Sequence, residues 1–380
     1  MSTQSKIPFD TKELKRYNRH FLLPQVGIAG QAKLKAARVL CVGAGGLGSP
    51  LLLYLAAAGI GTLGIVEDDI VDDSNLQRQI LYSTNEVQQK KILAATARLQ
   101  QLNPYITIET HDIRLSAANA LTIISQYDMV ADGTDNYVTR YLINDACFHL
   151  KKPHIYAGIF QFEGQCSIFN APGGPCYRCL YDAPPPSEVM PNCAEGGVLG
   201  VLPGLLGTIQ ATEVIKLILG IGTPLIGRLL TVNSLDMQFR EFTIHVHSQC
   251  SLCTYQQAFD LLPHHDVASC SAVDESDQEI TVNQLQAIRA NHTDFILLDV
   301  RDAYEYDIAN IGGYLIPLAE LINRLHELDK NKLIIVHCKS GTRSRQAVKL
   351  LQHAGFLQVK NLQGGIIAWA KQLDPRLAVY

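Results

Sequence analysis

Residues 39–61 read VLCVGAGGLGSPLLLYLAAAGIG. A short β-prone run at 39–42, a turn holding Gly43, Gly45, Gly46 and Gly48, and an apolar helix to residue 58 follow one another without a gap. Glycine packed this densely between a strand and a helix belongs where the backbone turns sharply and another group approaches it closely. The turn brings the carboxyl end of a strand and the unpaired N–H groups of a helix start to one point. The fold class expected is therefore α/β, with a Rossmann-like, mainly parallel sheet.

Apolar and amphipathic runs continue that alternation. A polar helix at 12–21 leads in. Strands are expected at 62–67, 106–110 and 129–131, with a helix at 87–102 and two more strands within 154–169. The greasy stretch 196–222 contains Pro203, Glu213 and Lys216, so it is read as a buried loop and core helix rather than a membrane span. Residues 263–278, PHHDVASCSAVDESDQ, break the pattern with a polar, acidic, aperiodic run. The chain divides accordingly into residues 1–262, a linker at 263–278, and a second, small α/β unit at 279–380. That unit has short apolar strands at 294–300 and 332–338 and helical spacing at 281–290 and 343–356.

A net charge of −4 over 380 residues gives no reason to expect nucleic acid or an anionic membrane as partner. The first twenty residues carry no apolar targeting run, and ten cysteines in a chain of this kind suggest a reducing, cytoplasmic setting. There cysteine serves metals or chemistry more often than disulfides.

The glycine turn predicts a bound nucleotide, and Glu67, 24 residues after Gly43 at the end of the second strand, stands where a carboxylate accepts ribose hydroxyls. A dinucleotide such as NAD is the ordinary occupant, which leaves an oxidoreductase with a redox tail as one alternative. Residues further on favour ATP. Arg78 in SNLQRQ and Lys91 at the next helix start are cations suited to a triphosphate, and Asp135 in DGTDN suits a metal ion riding on it. These groups fall at successive strand ends, where open α/β sheets bind ligands.

Two CxxC pairs, Cys176/Cys179 and Cys250/Cys253, offer four thiolates for a tetrahedral structural zinc that would clip distant segments together. Cys193 lies in a glycine-rich loop suited to movement, while Cys41, Cys147 and Cys166 fall in apolar text and read as core. Cys338 directly follows the strand IIVH and precedes a helix, in HCKSGTRSRQ. A loop there aims N–H groups at one sulfur, and Lys339 and Arg343 add positive charge. A phosphatase loop would need arginine six positions after the cysteine; that position is Ser344.

The motifs RYNRH, GAGGLG, SNLQRQ, TDN, PCYRCL and the late CxxC resemble the ubiquitin-activating superfamily, and within it the ThiF/MoeB-like adenylyltransferases that activate sulfur carriers for molybdopterin and thiamine synthesis. The likeness spans about residues 16–253. It implies an ATP site lined by Gly43, Gly45, Gly46, Gly48, Glu67, Ser74, Asn75, Leu76, Gln77, Arg78, Lys91, Asp135 and Asn136, with Mg2+ on Asp135 and Zn2+ on the four cysteines. It also implies a homodimer in which Arg19 reaches the neighbouring subunit's site. Two departures stand out: Glu67 replaces aspartate, and Gln88 replaces a common glycine. From about 279 to 375 the chain resembles a single-domain rhodanese, with Asp299 and Arg301 after a strand and a six-residue loop from Cys338 to Arg343. Asn310 and Gly312 depart from that family's usual histidine and proline.

Taken together, the resemblances imply an enzyme that adenylates the C-terminal Gly-Gly carboxylate of a ubiquitin-like sulfur carrier. Persulfide sulfur from Cys338 would then make the thiocarboxylate, with Cys193 holding or resolving an intermediate, and with Arg78 and Asp135 as the other catalytic side chains. The small subunit of molybdopterin synthase is the leading carrier; thiamine, tRNA-thiolation and cysteine-synthesis carriers are alternatives. A cysteine desulfurase is the kind of sulfur donor implied. A non-catalytic scaffold that binds carriers is the alternative from another class.

Overall fold

The computed structural model describes residues 8–183, 197–254, 278–291 and 294–378. The chain forms two compact units, Met1–Ala268 and Ser269–Tyr380.

The first unit carries eight strands: β1 (Arg38–Val42), β2 (Thr62–Val66), β3 (Thr107–His111), β4 (Met129–Asp132), β5 (His154–Phe160), β6 (Glu163–Phe169), β7 (Arg228–Asn233) and β8 (Gln238–Thr243). They form one sheet in the order β3-β2-β1-β4-β5-β6-β7-β8. The five strands from β3 to β5 are parallel, and β6, β7 and β8 continue antiparallel. Burial explains the division. β1, β2 and β4 are buried almost throughout, as a parallel sheet covered on both faces requires. β8 is exposed along its whole length, which antiparallel strands tolerate.

The register levels the ends of β1, β2 and β4: Val42 sits opposite Val66 on one side and Asp132 on the other. Everything that follows these strands therefore meets at one edge of the sheet. The helix Val201–Leu219 is long and apolar enough to cross a membrane by length and composition. It packs instead as a core helix. A methyl added at Gly207 would lie 2.4 Å from the Leu47 carbonyl oxygen, and one at Gly164 would lie 2.7 Å from Leu206.

Two expected helices differ in extent. The segment 12–21 is two short helices, Thr11–Arg16 and Asn18–Phe21, divided at Tyr17, whose ring is buried and whose hydroxyl accepts a hydrogen bond from Asn103. The helix expected at 87–102 begins at Lys91, after a 3-10 turn at Thr84–Glu86. Gln88 lies between them at φ 71, so the loop keeps the left-handed conformation that glycine adopts freely, with a side chain in place.

The second unit is a five-stranded, all-parallel sheet of β9 (Glu279–Ile280), β10 (Phe295–Asp299), β11 (Tyr314–Leu315), β12 (Leu333–His337) and β13 (Val359–Leu362), in the order β11-β10-β12-β13-β9. Asp299 and Arg301 are both fully buried. Arg301 Nε donates to both Asp299 carboxylate oxygens at 3.0 Å, and Nη2 donates to Oδ2 at 2.6 Å and to the Ala309 carbonyl at 2.7 Å. A pair buried this completely is costly to break, because one charge would be left unpaired. Gly312 stands at φ 78, a value that a proline ring forbids.

His337 ends β12 opposite Asp299 and is fully buried. Its Nε2 lies 3.6 Å from Asp299 Oδ2, and among the described residues neither ring nitrogen has a hydrogen-bond partner. Burial pushes this imidazole down to about 4. The unfolded chain then binds a proton that the folded unit does not, so stability drops as pH falls from about 6.5 to about 4 and levels off below. The penalty is on the order of 3 kcal/mol. Thermal unfolding at a series of pH values should show this slope in the second unit, and His337→Phe should flatten it.

Candidate functional site

The nucleotide edge is built around backbone contacts. Gly43 follows β1 at φ 89. A Cβ on Gly48 would lie 2.1 Å from the Gly43 carbonyl oxygen, and one on Gly133 would lie 2.8 Å from the same atom. The loop after β1, the loop after β4 and the start of helix Gly48–Ala58 thus touch where no side chain fits. Glu67, just past β2, adds the third strand end. Its Oε2 accepts from the Ala44 N–H at 2.9 Å, and its Oε1 accepts from Asp68 and Asp69 N–H at 3.1 and 3.0 Å. These loops enclose a cavity of about 320 Å³ lined by Gly43, Gly45, Gly46, Glu67, Arg78, Lys91, Asp135 and Asn136, among others.

The remaining expected residues stand back from the lining. Gly48 is buried and acts in packing. Ser74, Asn75, Leu76 and Gln77 form the turn that carries Arg78: Ser74 is bonded to Asp72, and Arg78 Nη1 donates to the Ser74 carbonyl at 3.1 Å. Arg19 is exposed on its short helix and does not line the cavity. Lys91, expected as an open cation, is 6 % exposed and pairs with Asp69 at 2.6 Å. Glu67, expected to face a ribose, already accepts three N–H bonds; a carboxylate offers roughly four acceptor positions, so one is left.

Sequence reading missed Asp132, which ends β4 three residues before Asp135. It is fully buried. Its Oδ1 accepts from the N–H and hydroxyl of Thr134 at 2.9 and 2.6 Å, and its Oδ2 faces His154 Nε2 at 3.1 Å. Burial alone would raise this carboxyl, but His154, the charge of Arg140 and Thr134 together hold it below the usual carboxylate range. The Gly133–Asn136 loop is thereby pinned to the sheet, and Asn136 caps the helix Tyr137–Leu150 through the Thr139 N–H. Asp69, Gln79 and Arg114 also line the cavity and were not foreseen. The two carboxylates flanking GT in DGTDN were a usable signal for Asp132; the partners of Asp69 are tertiary and left no local mark.

A second, larger cavity of about 690 Å³ lies over the antiparallel half of the sheet, walled by Tyr137, Tyr141, Tyr156, Tyr181 and Phe242 with Arg140 and Arg240. Ile159 lines both cavities.

The four cysteines converge as expected. Cys176 Sγ is 3.7 Å from Cys179 Sγ and 3.5 Å from Cys250 Sγ; Cys179 Sγ is 3.2 Å from Cys253 Sγ. All four sulfurs lie within 4.8 Å of one another. Thiolates about 2.3 Å from a tetrahedral zinc stand about 3.8 Å apart, so the donor set and spacing fit that ion. Asp145 and Asn144 anchor the first pair: Arg178 forms an ion pair with Asp145 at 2.7 Å, and Asn144 accepts from the Tyr177 N–H at 2.7 Å. Cys41, Cys147 and Cys166 are buried. Cys193 and Cys270 lie outside the described residues.

In the second unit Cys338 leaves β12 into the loop that leads to helix Thr342–His353. The carbonyls of Cys338 and Lys339 accept from the N–H groups of Ile366 and Ile367, at the start of helix Gly365–Gln372. The Gly341 N–H donates to Cys338 Sγ at 3.2 Å. Arg343, expected beside the sulfur as an open cation, is instead clamped by Glu305, with Nη1 and Nη2 each on one carboxylate oxygen at 2.5 and 2.7 Å. Burial would lower Arg343, but the Glu305 hydrogen bonds and charge, followed by Cys338, keep it above its ordinary value.

The ThiF family model matches residues 17–252, and a rhodanese-like domain model matches residues 281–372. The chain is 43 % identical over 380 residues to a probable adenylyltransferase/sulfurtransferase MoeZ of Mycobacterium tuberculosis, covering 97 % of this chain and 96 % of the relative. It is 40 % identical over 368 residues to a probable molybdopterin-synthase adenylyltransferase of Porphyra purpurea, covering 95 % and 94 %. In fold it is similar to E. coli MccB crystallised with ATP, with a TM-score of 0.56, 21 % identity, and 63 % of this chain matching 74 % of that one.

The crowding at Gly48 gives a direct test. Gly48→Ala places a methyl against the Gly43 carbonyl and should weaken ATP binding by about a hundredfold in calorimetry, while the thermal transition of the second unit stays in place.

Proposed function

The chain belongs to the ThiF family, carries a rhodanese-like domain and is an adenylyltransferase and sulfurtransferase; on that footing we propose that it adenylates the C-terminal Gly-Gly carboxylate of a ubiquitin-like sulfur carrier and converts it to a thiocarboxylate. The carrier proposed is the small subunit of molybdopterin synthase, in keeping with the name of the Porphyra purpurea relative. The observation that carries the proposal is the meeting of Arg78, Lys91, Asp135 and the glycine loop around one cavity that shares Ile159 with a second, aromatic one.

ATP lies in the smaller cavity, its phosphates on the glycine loop, and the carrier's side-chain-free tail enters through the larger. The tail carboxylate is already an anion near neutral pH, so no base is needed. It attacks the α-phosphorus, a carboxylate–phosphorus bond forms, and pyrophosphate leaves with the electron pair of the broken bond. Arg78 and Lys91 meet the charge that develops, and for this Lys91 exchanges Asp69 for a phosphate oxygen. Asp135 would hold magnesium, which supplies further neutralisation of phosphate charge. The four cysteines would hold a structural zinc.

A Cys338 persulfide then attacks the acyl-adenylate: AMP leaves, and the carrier is joined to Cys338 through an acyl disulfide. A thiolate, for which we propose Cys193, attacks Cys338 Sγ and releases the thiocarboxylate, leaving a Cys193–Cys338 disulfide. A dithiol reductant returns both cysteines to thiols, and a cysteine desulfurase or similar persulfide donor reloads Cys338. We propose a homodimer in the cytoplasm, with exposed Leu22, Leu23 and Ile28 near Arg19 forming part of the subunit contact.

ATP–pyrophosphate exchange with purified carriers separates the two halves. Asp135→Ala should abolish exchange. Cys338→Ala should leave exchange intact and stop thiocarboxylate formation; loss of exchange as well would overturn this division of labour. Metal analysis should find about one zinc per chain, lost in Cys250→Ser.

A further inference from the structure

Cys338 is 1 % exposed, and the two arginines that follow it in the loop and helix start are held by carboxylates. Arg343 is held by Glu305, with Asp302 at 3.8 Å, and Arg345 pairs with Glu279 at 3.0 Å. Lys339 follows the cysteine and is half-buried; His337 precedes it and is buried, with a lowered pKa. Two neutral donors hydrogen-bond to Cys338 Sγ: the Gly341 N–H at 3.2 Å and the Ser344 hydroxyl at 3.3 Å. Ser344 is fully buried in the first turn of helix Thr342–His353, and its side chain reaches back over the helix start. It occupies the position, six after the cysteine, that holds arginine in a phosphatase loop.

We propose that Ser344 is a catalytic residue of the sulfur transfer: its hydroxyl donates to Cys338 Sγ and favours the thiolate that takes up sulfur. The inference rests on Cys338 being the sulfur-carrying thiol. The step is a displacement between anions. Cys338 thiolate attacks the outer sulfur of a persulfide donor, a new S–S bond forms at Sγ, and the donor's own S–S bond breaks with its electron pair leaving on the donor thiolate. A hydrogen bond to a charged acceptor is stronger than one to a neutral acceptor, so the Ser344 bond counts most while Sγ is ionised. A neutral donor suits this place better than an arginine. It stabilises the thiolate without fixing a full positive charge where an oxyanion would otherwise be clamped.

The test is the alkylation rate of Cys338 in the full-length protein, read by mass spectrometry of its peptide across a range of pH. Ser344→Ala should slow alkylation about tenfold near neutral pH. Ser344→Thr, which keeps the hydroxyl, should restore much of the rate. Persulfide loading of Cys338 should fall in parallel, with ATP–pyrophosphate exchange unchanged. An Ala variant that is folded and tracks the parent at every pH overturns the role of Ser344. If Ala unfolds the second unit, the Thr variant decides: a rate near the parent's supports the hydroxyl, and a tenfold loss with the fold intact overturns it. Thiocarboxylate formation by Cys338→Ala would instead overturn the reading of Cys338 itself.

Discussion

The carbonyl oxygen of Gly43 is the atom on which the nucleotide edge depends. Gly48 presses against it from the following helix and Gly133 from the loop after β4, and neither contact leaves room for a β-carbon. Once those backbones touch, Glu67 can bridge from β2 to the Ala44 N–H, and Asp132 can hold the loop that carries Asp135. The cavity is thus a by-product of close packing at three strand ends. Four glycines and the cations Arg78, Lys91 and Arg114 share its lining, which suits a phosphate chain whose charge is best met by fixed N–H dipoles and a few placed cations.

Three cations around the cavity and around the Cys338 loop are paired with carboxylates. Lys91 lies on Asp69, Arg343 on Glu305 and Arg301 on Asp299. The first of these has one exposed partner: the Asp69 side chain is 61 % accessible, so solvent can take it up when Lys91 turns to a phosphate. The other two are more deeply set and serve to shape the sulfur loop. Arg301 ties the end of β10 to the turn at Ala309, and Glu305 joins its own helix to the first turn after Cys338. The sulfur therefore sits in a rigid cradle in which the hydrogen-bonding work is left to Gly341 and Ser344.

The parallel half of the large sheet was legible because each strand is a short apolar run next to an amphipathic or apolar helix, and because glycine marks the turn. The antiparallel extension was only half legible. β5 and β6 are apolar and were expected, but β7 and β8 are partly or wholly exposed, so no burial pattern distinguishes them from loop. The cavity residues Glu67, Arg78, Lys91 and Asp135 could be named from their places after successive strands. Their resting partners could not: the Asp69–Lys91 pair spans 22 residues and the Glu305–Arg343 pair spans 38, and only the fold brings them together. Ser344 was noticed only for what it was not, an arginine, and its bond to Cys338 appeared once the helix start was in place.

The central claim is that one chain exchanges an oxygen of a peptide's terminal carboxylate for sulfur at the expense of ATP. Intact-mass spectrometry of a carrier ending in Gly-Gly tests this most directly, after incubation with the protein, ATP, magnesium, a persulfide donor and a dithiol. The account predicts a mass gain equal to one oxygen-to-sulfur exchange that disappears when ATP is omitted. A carrier of unchanged mass with ATP present, or the same gain without ATP, would contradict it.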